Sequence, residues 1–580
     1  MNRISRSTEI LLLAGAAGAC GGDRPGSIAA GTDLTGRVDL CAPTAWSVEQ
    51  GHAEGGRHAW ITRWYGRESQ ADAPLLLGDE RPGLIVSTPS RLRRACAASA
   101  GPRALRVGVR RDGPGEGPAV RAEVFWKPEG GEPHSLAASE LPAEEDAWRE
   151  LAAEVPAAAG DLWLVAHFTH PGLASQPGPR VTWGAPILAP AQPPHLPDIV
   201  IVTVDTLRAD ALQYMPVTRR YFAEGEWAEA ALAPSNWTLP AFASLWTGLP
   251  ADRHGAGRGA VAAQPVPGAE RRGFTALGPA PTFVAALHAV GWATACVHQN
   301  PFLEPWTGLS RDFEAWIRTR DAVDAQRGPA LGWWRANAHR PRLLVLHWMT
   351  PHLPYGEDDT SDPLHALDWR NFLQGDRSPA ERRAFFDLPE EQRARVRERY
   401  YEEARRLDAE LAYWLGEFLT GARRPAVLFF ADHGEELWDA GSFEHGHTFD
   451  ASVVRVPAGL RGAGGDAGAG TALPGARPAG HAGLHLLHRL AESDARLAQS
   501  LQEAIGALPR CGFAPGCPAG SEPARALRPL YRSEHDGVEI RAGAEPEFIP
   551  YSGSGSGGLA PDLPADVARR LAELGYAGGG

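Results

Sequence analysis

The chain has a single lysine, Lys127, although 57 of its 580 residues are Lys or Arg. Its cationic chemistry is therefore almost wholly arginine, and no lysine is at hand for a role remote from Lys127. The six cysteines form no CxxC pair and no Cys/His array, which excludes the common structural zinc motifs. Basic runs are missing too. With a formal net charge of −13, the chain would repel a phosphate backbone, so nucleic acid is not an expected partner. Long apolar runs are absent apart from Ile10 to Ala19, which is too short to span a bilayer as a mature helix. What is present, 43% hydrophobic and 22% charged residues, is the balance of a folded soluble protein with several cores.

The 66 glycines and 50 prolines imply many turns and long connections. At the amino terminus Arg3 and Arg6 precede the apolar stretch, and Ala17, Gly18 and Ala19 lead into Cys20. This is the layout of an export signal over residues 1–20. The small-small-Cys ending resembles a bacterial lipoprotein signal, which implies a periplasmic or outer-membrane protein touching the membrane only through a lipid on Cys20. In an oxidising compartment, Cys511 with Cys517 and Cys41 with Cys96 are the expected disulfides. Cys296, in an apolar strand pattern, is expected to be a buried small hydrophobe.

From about 41 to 190, short β-rich runs beginning at Leu105, Val120, Asp161 and Val181 alternate with Gly/Pro turns, predicting a β-sandwich. Its tryptophans either fill the core or line a sugar-binding face. A Pro-rich linker ends at Pro197, and the periodicity then changes. DIVIVTVD from Asp198, ATACVH from Ala293, RLLVLHWM from Arg342 and PAVLFFAD from Pro425 are apolar along their length, as parallel strands covered on both faces are. Helices are predicted from Pro281 and from about Glu390 to Leu419. The fold class is thus α/β with a central, mainly parallel sheet over 197–460. A C-terminal subdomain and tail (461–580) carry glycine-rich loops and a short helix from Pro564 to Leu574.

Ligands of open α/β sheets sit beyond the carboxyl ends of the strands. There stand Asp205, then His347 and His352, then Asp432 and His433. Singly, each reads equally as a helix cap or a satisfied polar group. A further cluster, SNWTLPAFASLWTG, puts Thr238 just before Leu239-Pro240 at a helix start. Thr238 is there either an N-cap or a nucleophile beside a metal ion and a helix terminus. Asn236-Trp237-Thr238 fits a glycosylation sequon, read as coincidence, and Arg253-His254-Gly255 reads as a structural turn.

PDIVIVTVDTLRAD, SNWTLPAFASLWTGLPADRHG, HWMTPHLPYG, ADHGEEL and FEHGHTFDASVVRVP, in that order, resemble the successive motifs of the sulfatase branch of the alkaline phosphatase superfamily. A closing RRLAELGY resembles the family's ending. The resemblance implies an alkaline phosphatase/sulfatase-like core. It also implies Asp205, Thr238, Asp432 and His433 around one divalent ion, Zn²⁺, Mn²⁺, Ca²⁺ or Mg²⁺, with Thr238 as nucleophile. His352 and His445 would flank the substrate, one protonating the leaving group and the other contacting the transferred oxygens, with His447 nearby.

The sequence departs from the formylglycine sulfatases. The nucleophile run is Thr238, Leu239, Pro240, Ala241, Phe242, from which the aldehyde cannot form. Thr206 replaces the family's second aspartate, Phe242 the motif's arginine, and His445 stands where the family has a lysine. A threonine nucleophile resembles the phosphodiesterases, phosphonate hydrolases and phosphoethanolamine transferases. The expectation is an exported hydrolase or transferase of phosphoesters or phosphodiesters in small molecules, lipids or glycans. The alternatives are a sulfuric ester hydrolase without formylglycine and an inactive glycan-binding protein.

Overall fold

The computed structural model describes residues 33–505 together with Tyr531–Arg532 and Glu539–Ile540, except 62–75, 113–117, 144–147, 171–177, 193–194, 250, 261–271, 323, 357–362, 374–376, 378, 421–422 and 463–481. The export signal with Cys20, the Cys511 and Cys517 pair and the helix from Pro564 lie outside the described residues. No helix among the described residues is long and apolar enough to cross a membrane.

The chain divides into two compact units. The first comprises Val38–His58 and Pro82–Leu188 among its described residues. It holds two antiparallel sheets. One runs in the order Ser47–Gln50, Ser90–Cys96, Gly160–Phe168, Val120–Pro128, His134–Leu141, and the other contains Arg103–Arg111, Arg149–Val155 and Val181–Pro190. Alternate residues of both sheets, among them Leu92, Val107, Val124, Leu164 and Trp183, make one core. Trp46 and Trp126 join it, whereas Trp163 is half-buried with the Arg91 guanidinium 5.2 Å over its ring. The expected Cys41–Cys96 disulfide is absent. Cys41 follows the strand Val38–Asp39, paired with Leu188 and Ile187, whereas Cys96 ends a strand of the other sheet. Their thiols donate to the Pro82 carbonyl at 3.9 Å and to that of Arg94 at 3.8 Å, and both are buried without being joined in a disulfide.

The second unit is built on five parallel strands in the order Ala426–Ala431, Ile199–Val204, Arg342–Trp348, Ala293–His298, Ala315–Thr319. Arg455–Arg461 and then Glu226–Leu232 extend one edge in antiparallel sense, and Glu80 pairs opposite Trp316 at the other. The continuous apolar runs have their cause here, because both sheet faces are covered. Ile199 and Ile201 enter one core with Leu245, Phe283 and Trp292, while Val200, Val202 and Val204 enter another with Tyr400, Leu407 and Trp414. The last three come from the helix Glu390–Leu419, whose buried positions Val396, Tyr400, Ala404, Leu407, Leu411, Trp414 and Phe418 recur every three or four residues. Cys296 is fully buried in the first of these cores, as its strand pattern predicts.

At the amino end of the sheet the carboxylate of Asp198, itself fully buried, accepts from the backbone N–H and guanidinium of Arg342, and Arg423 lies 3.4 Å away. Removing one partner strands a buried charge. Asp198→Ala is expected to destabilise the chain by about 3–5 kcal/mol, read as a shift in the urea unfolding midpoint against wild type.

Candidate active site

Four strand ends and one helix start converge at the carboxyl edge of the parallel sheet. Asp205 follows Ile199–Val204, and its N–H donates to the Trp348 carbonyl at 2.9 Å. Thr206 turns the chain at φ 54°, a costly conformation for a β-branched residue. The long helix braces it: the Tyr400 hydroxyl donates to the Thr206 carbonyl at 2.7 Å and accepts from the Arg208 N–H at 2.9 Å. Asp432 and His433 follow Ala426–Ala431. The next residue must be glycine, since a Cβ on Gly434 would lie 2.1 Å from the Ser452 carbonyl.

Thr238 is the first residue of the helix Thr238–Thr247, and Trp237, extended at φ −163°, takes the capping position. The Thr238 hydroxyl therefore faces the sheet edge. It lies 3.5 Å from His433 Nε2 and accepts from Asn300 Nδ2 at 3.3 Å. The loop is tied down by Asn236, which donates to the Thr448 carbonyl and accepts from the Gly446 N–H. Asn236 is itself buried, so the sequon is spent on internal bonding.

His433 Nδ1 bonds the Gly434 carbonyl at 2.9 Å, which leaves the Nε2 lone pair directed at Asp205 Oδ1 (3.3 Å) and Asp432 Oδ2 (3.6 Å). Among the described residues, the ligand atoms of Asp205, Asp432 and His433 all lie within 4.8 Å of one another. Asp205 Oδ1 and Asp432 Oδ2 are buried without a hydrogen bond. Two orphaned carboxylate oxygens facing an imidazole lone pair and a hydroxyl form a donor set that fits a divalent cation.

The electrostatics agree. Burial and the charge of Asp205 push the Asp432 carboxyl well above its usual range. Asp205 is lowered although burial opposes it, because His347, His352 and His433 surround it. Burial, with His445 adding to it, pushes His433 down to about 3, so its ring is neutral and able to ligate.

His445 packs against His433 with ring centroids 4.4 Å apart and planes tilted by 38°, and His352 packs edge-on against His445 at 5.1 Å. The structure thus gathers Asp205, Thr238, His352, Asp432, His433 and His445. Burial lowers His445, but Glu444 and Glu435 outweigh it and raise the imidazole above its ordinary range. His447 bonds Ser442 and the His445 carbonyl, and is raised by Glu436 and Glu444 against its burial.

Sequence reasoning missed Asn300, which donates to Asp205 Oδ2 at 2.6 Å and to the Thr238 hydroxyl. Its signal was available, because it lies just beyond Ala293–His298, at the same sheet edge as the others. The role of His347 was missed as well. Its Nδ1 bonds the Thr203 hydroxyl at 2.9 Å, its Nε2 lies 3.5 Å from Asp205 Oδ2, and the Phe242 ring packs edge-on against it. His254 is the structural residue expected: Nε2 bonds Ser244 at 3.1 Å and Nδ1 accepts from the Ala256 N–H.

No protein-family model and no curated protein matches the chain. Among solved structures it is similar to a 2-O GAG sulfatase (15% identity, TM-score 0.35), covering 46% of this chain and 64% of that one. It is also similar to the phosphonate monoester hydrolase of Agrobacterium radiobacter (16%, TM-score 0.36), with 51% and 74% covered. A third similar structure is the soluble domain of lipooligosaccharide phosphoethanolamine transferase A from Neisseria meningitidis (11%, TM-score 0.36), with 52% and 89% covered. All three belong to the alkaline phosphatase superfamily that the sequence motifs resemble.

Two outcomes follow. Asp205→Asn and Asp432→Asn are each expected to lower bound divalent metal at least about tenfold, measured by elemental analysis of purified protein. Burial pushes His254 down to about 3, so below the unfolded value near 6.5 the unfolded chain takes a proton that the folded chain refuses. The stability His254 contributes is therefore full above about pH 6.5 and is lost as pH falls towards 3, by about 1.4 kcal/mol per unit. Chemical denaturation between pH 7 and 5 should show this loss shrinking in His254→Asn.

Proposed function

We propose that the chain is a metal-dependent ester hydrolase or transferase that acts on phosphoesters, phosphodiesters foremost, through a covalent intermediate on Thr238. The observation that carries this reading is the buried Asp205–Asp432–His433 group, with its two orphaned carboxylate oxygens, opposite a hydroxyl at a helix N-terminus. A divalent cation held by Asp205, Asp432, His433 and Thr238 would supply the charge that makes the Thr238 hydroxyl acidic and offsets charge building on the transferred group. The carboxylate–imidazole set suits Zn²⁺ and Mn²⁺ and admits Mg²⁺ or Ca²⁺.

Thr238 gives its proton to solvent and bonds the phosphorus as the bond to the leaving oxygen breaks. Asn300 holds both Thr238 and Asp205 in register. The first N–H groups of the helix Thr238–Thr247 face the transferred anion. His352 and His445 contact the phosphoryl oxygens and the leaving oxygen. Phosphorus is favoured over sulfur because threonine cannot become formylglycine and none of the motifs contains a lysine; Phe242 likewise replaces a charged partner with an apolar ring against His347. The leader ending in Cys20 supports an exported, lipid-anchored enzyme acting on small-molecule, lipid or glycan esters.

The test is a panel of 4-nitrophenyl phosphate, phosphodiester, phosphonate and sulfate esters with and without chelator. Chelator-sensitive release from a phosphorus ester is expected, together with a mass increment on Thr238 in trapped protein. Thr238→Ala should lose about three orders of magnitude or more in turnover while melting as wild type does. Release of sulfate alone would overturn the reading.

A further inference from the structure

The motif that supplies Asp432 and His433 continues into Glu435 and Glu436, to which the reaction described above gives no part. Glu435 is fully buried, and its two oxygens are separately engaged. Oε1 lies 2.8 Å from His445 Nδ1, and Oε2 accepts from the Tyr355 hydroxyl at 3.0 Å. Its carbonyl accepts from Arg208 Nη1 at 2.9 Å, and that guanidinium is held in turn by Asp210 and Asp439. Tyr355 is buried too, edge-on against Tyr400, the residue that braces Thr206. The carboxylate is therefore fixed from both sides and from its backbone before it meets the imidazole.

We infer that Glu435 is a positioning residue that sets the tautomer and ring orientation of His445, forming with it a Glu–His pair clamped by Tyr355. With Oε2 accepting from the Tyr355 hydroxyl, Oε1 is the acceptor for Nδ1 of His445, and Nε2, 3.7 Å from Glu444 Oε1, is the nitrogen that exchanges a proton with the substrate. In the step served, Thr238 Oγ1 bonds phosphorus, the bond from phosphorus to the leaving oxygen breaks, and that oxygen takes the proton from Nε2. His445 then returns from the cation to its Nδ1-protonated neutral form. The Glu435 carboxylate is engaged by His445 and Tyr355, and its effect is transmitted through the imidazole. Lysine needs no such partner, because all its protons are equivalent. Histidine in a lysine's place must be told which nitrogen faces the substrate, and Glu435 with Tyr355 supplies that instruction.

The inference rests on the ester-transfer reading, so its test separates the two. The full chain, metal-loaded, is assayed on methyl 4-nitrophenyl phosphate, methyl phenyl phosphate and dimethyl phosphate. Nitrophenolate leaves without a proton, whereas methoxide requires one. Glu435→Gln keeps the volume but cannot present two acceptors. It is expected to lose less than about threefold on the nitrophenyl ester and about 100-fold on dimethyl phosphate, with metal content unchanged. Equal losses on all three esters, or none on dimethyl phosphate, overturn the inference.

If Glu435→Gln does not fold, Tyr355→Phe decides. It frees the carboxylate without removing it, and must shift the same ratio in the same direction by about tenfold or the inference fails. If wild type turns over none of the esters, the ester-transfer reading falls, and histidine-selective ¹⁵N NMR of the wild-type chain decides the pairing alone. A neutral His445 protonated on Nδ1 upholds it, and one protonated on Nε2 overturns it.

Discussion

Two carboxylates, Asp205 and Asp432, are buried side by side at the carboxyl edge of a parallel sheet, and most of the surrounding architecture is a response to that juxtaposition. Like charges in a low dielectric cannot both stay ionised without positive charge between them. Among the described residues no lysine or arginine pairs with either carboxylate, and the ion-pair neighbours are histidines. The protein directs a neutral imidazole lone pair and a hydroxyl into the same space, and the outcome is a donor set that fits a divalent cation. Around that pair the Ser452 carbonyl makes Gly434 obligatory, Tyr400 braces Thr206 at positive φ and Asn300 bridges Asp205 and Thr238.

Arginine is plentiful around the site yet turned away from its centre. Arg208 is tied to Asp210 and Asp439, and Arg382 to Glu444. A guanidinium stays cationic near neutral pH and is a poor proton donor. Imidazoles are better suited to proton exchange, and here glutamates surround them. Glu435 and Glu444 raise His445 against its burial, while burial and the neighbouring His445 keep His433 neutral although Asp205 opposes them. Two histidines in ring contact thus carry opposite shifts, one suited to ligation and the other to proton exchange.

Much of this was legible before any coordinates. Unbroken apolar runs ending in Asp205, in His347 and in Asp432-His433 imply parallel strands whose polar ends share one edge, since a strand covered on both faces has no other place for such residues. The helix Glu390–Leu419 was legible for a similar reason, its periodicity being a local property. Asn300 was overlooked because an asparagine after a strand is also an ordinary turn residue, and only its distance to Asp205 separates the two roles. The Cys41–Cys96 pairing failed because spacing along a chain carries no information about which of two sheets each thiol joins.

By itself the sequence determined the strand pattern, the residue types at the strand ends and the absence of lysine from their vicinity. All three follow from composition and short-range periodicity. Tertiary structure alone decided that the Thr238 hydroxyl turns from capping its helix to face His433 Nε2. It alone decided that two carboxylate oxygens are left without hydrogen bonds, and that Glu435 grips one nitrogen of His445. Those facts depend on groups about 10 to 230 residues apart meeting within hydrogen-bond or ion-pair distance, and the strength of such contacts changes steeply over less than an ångström.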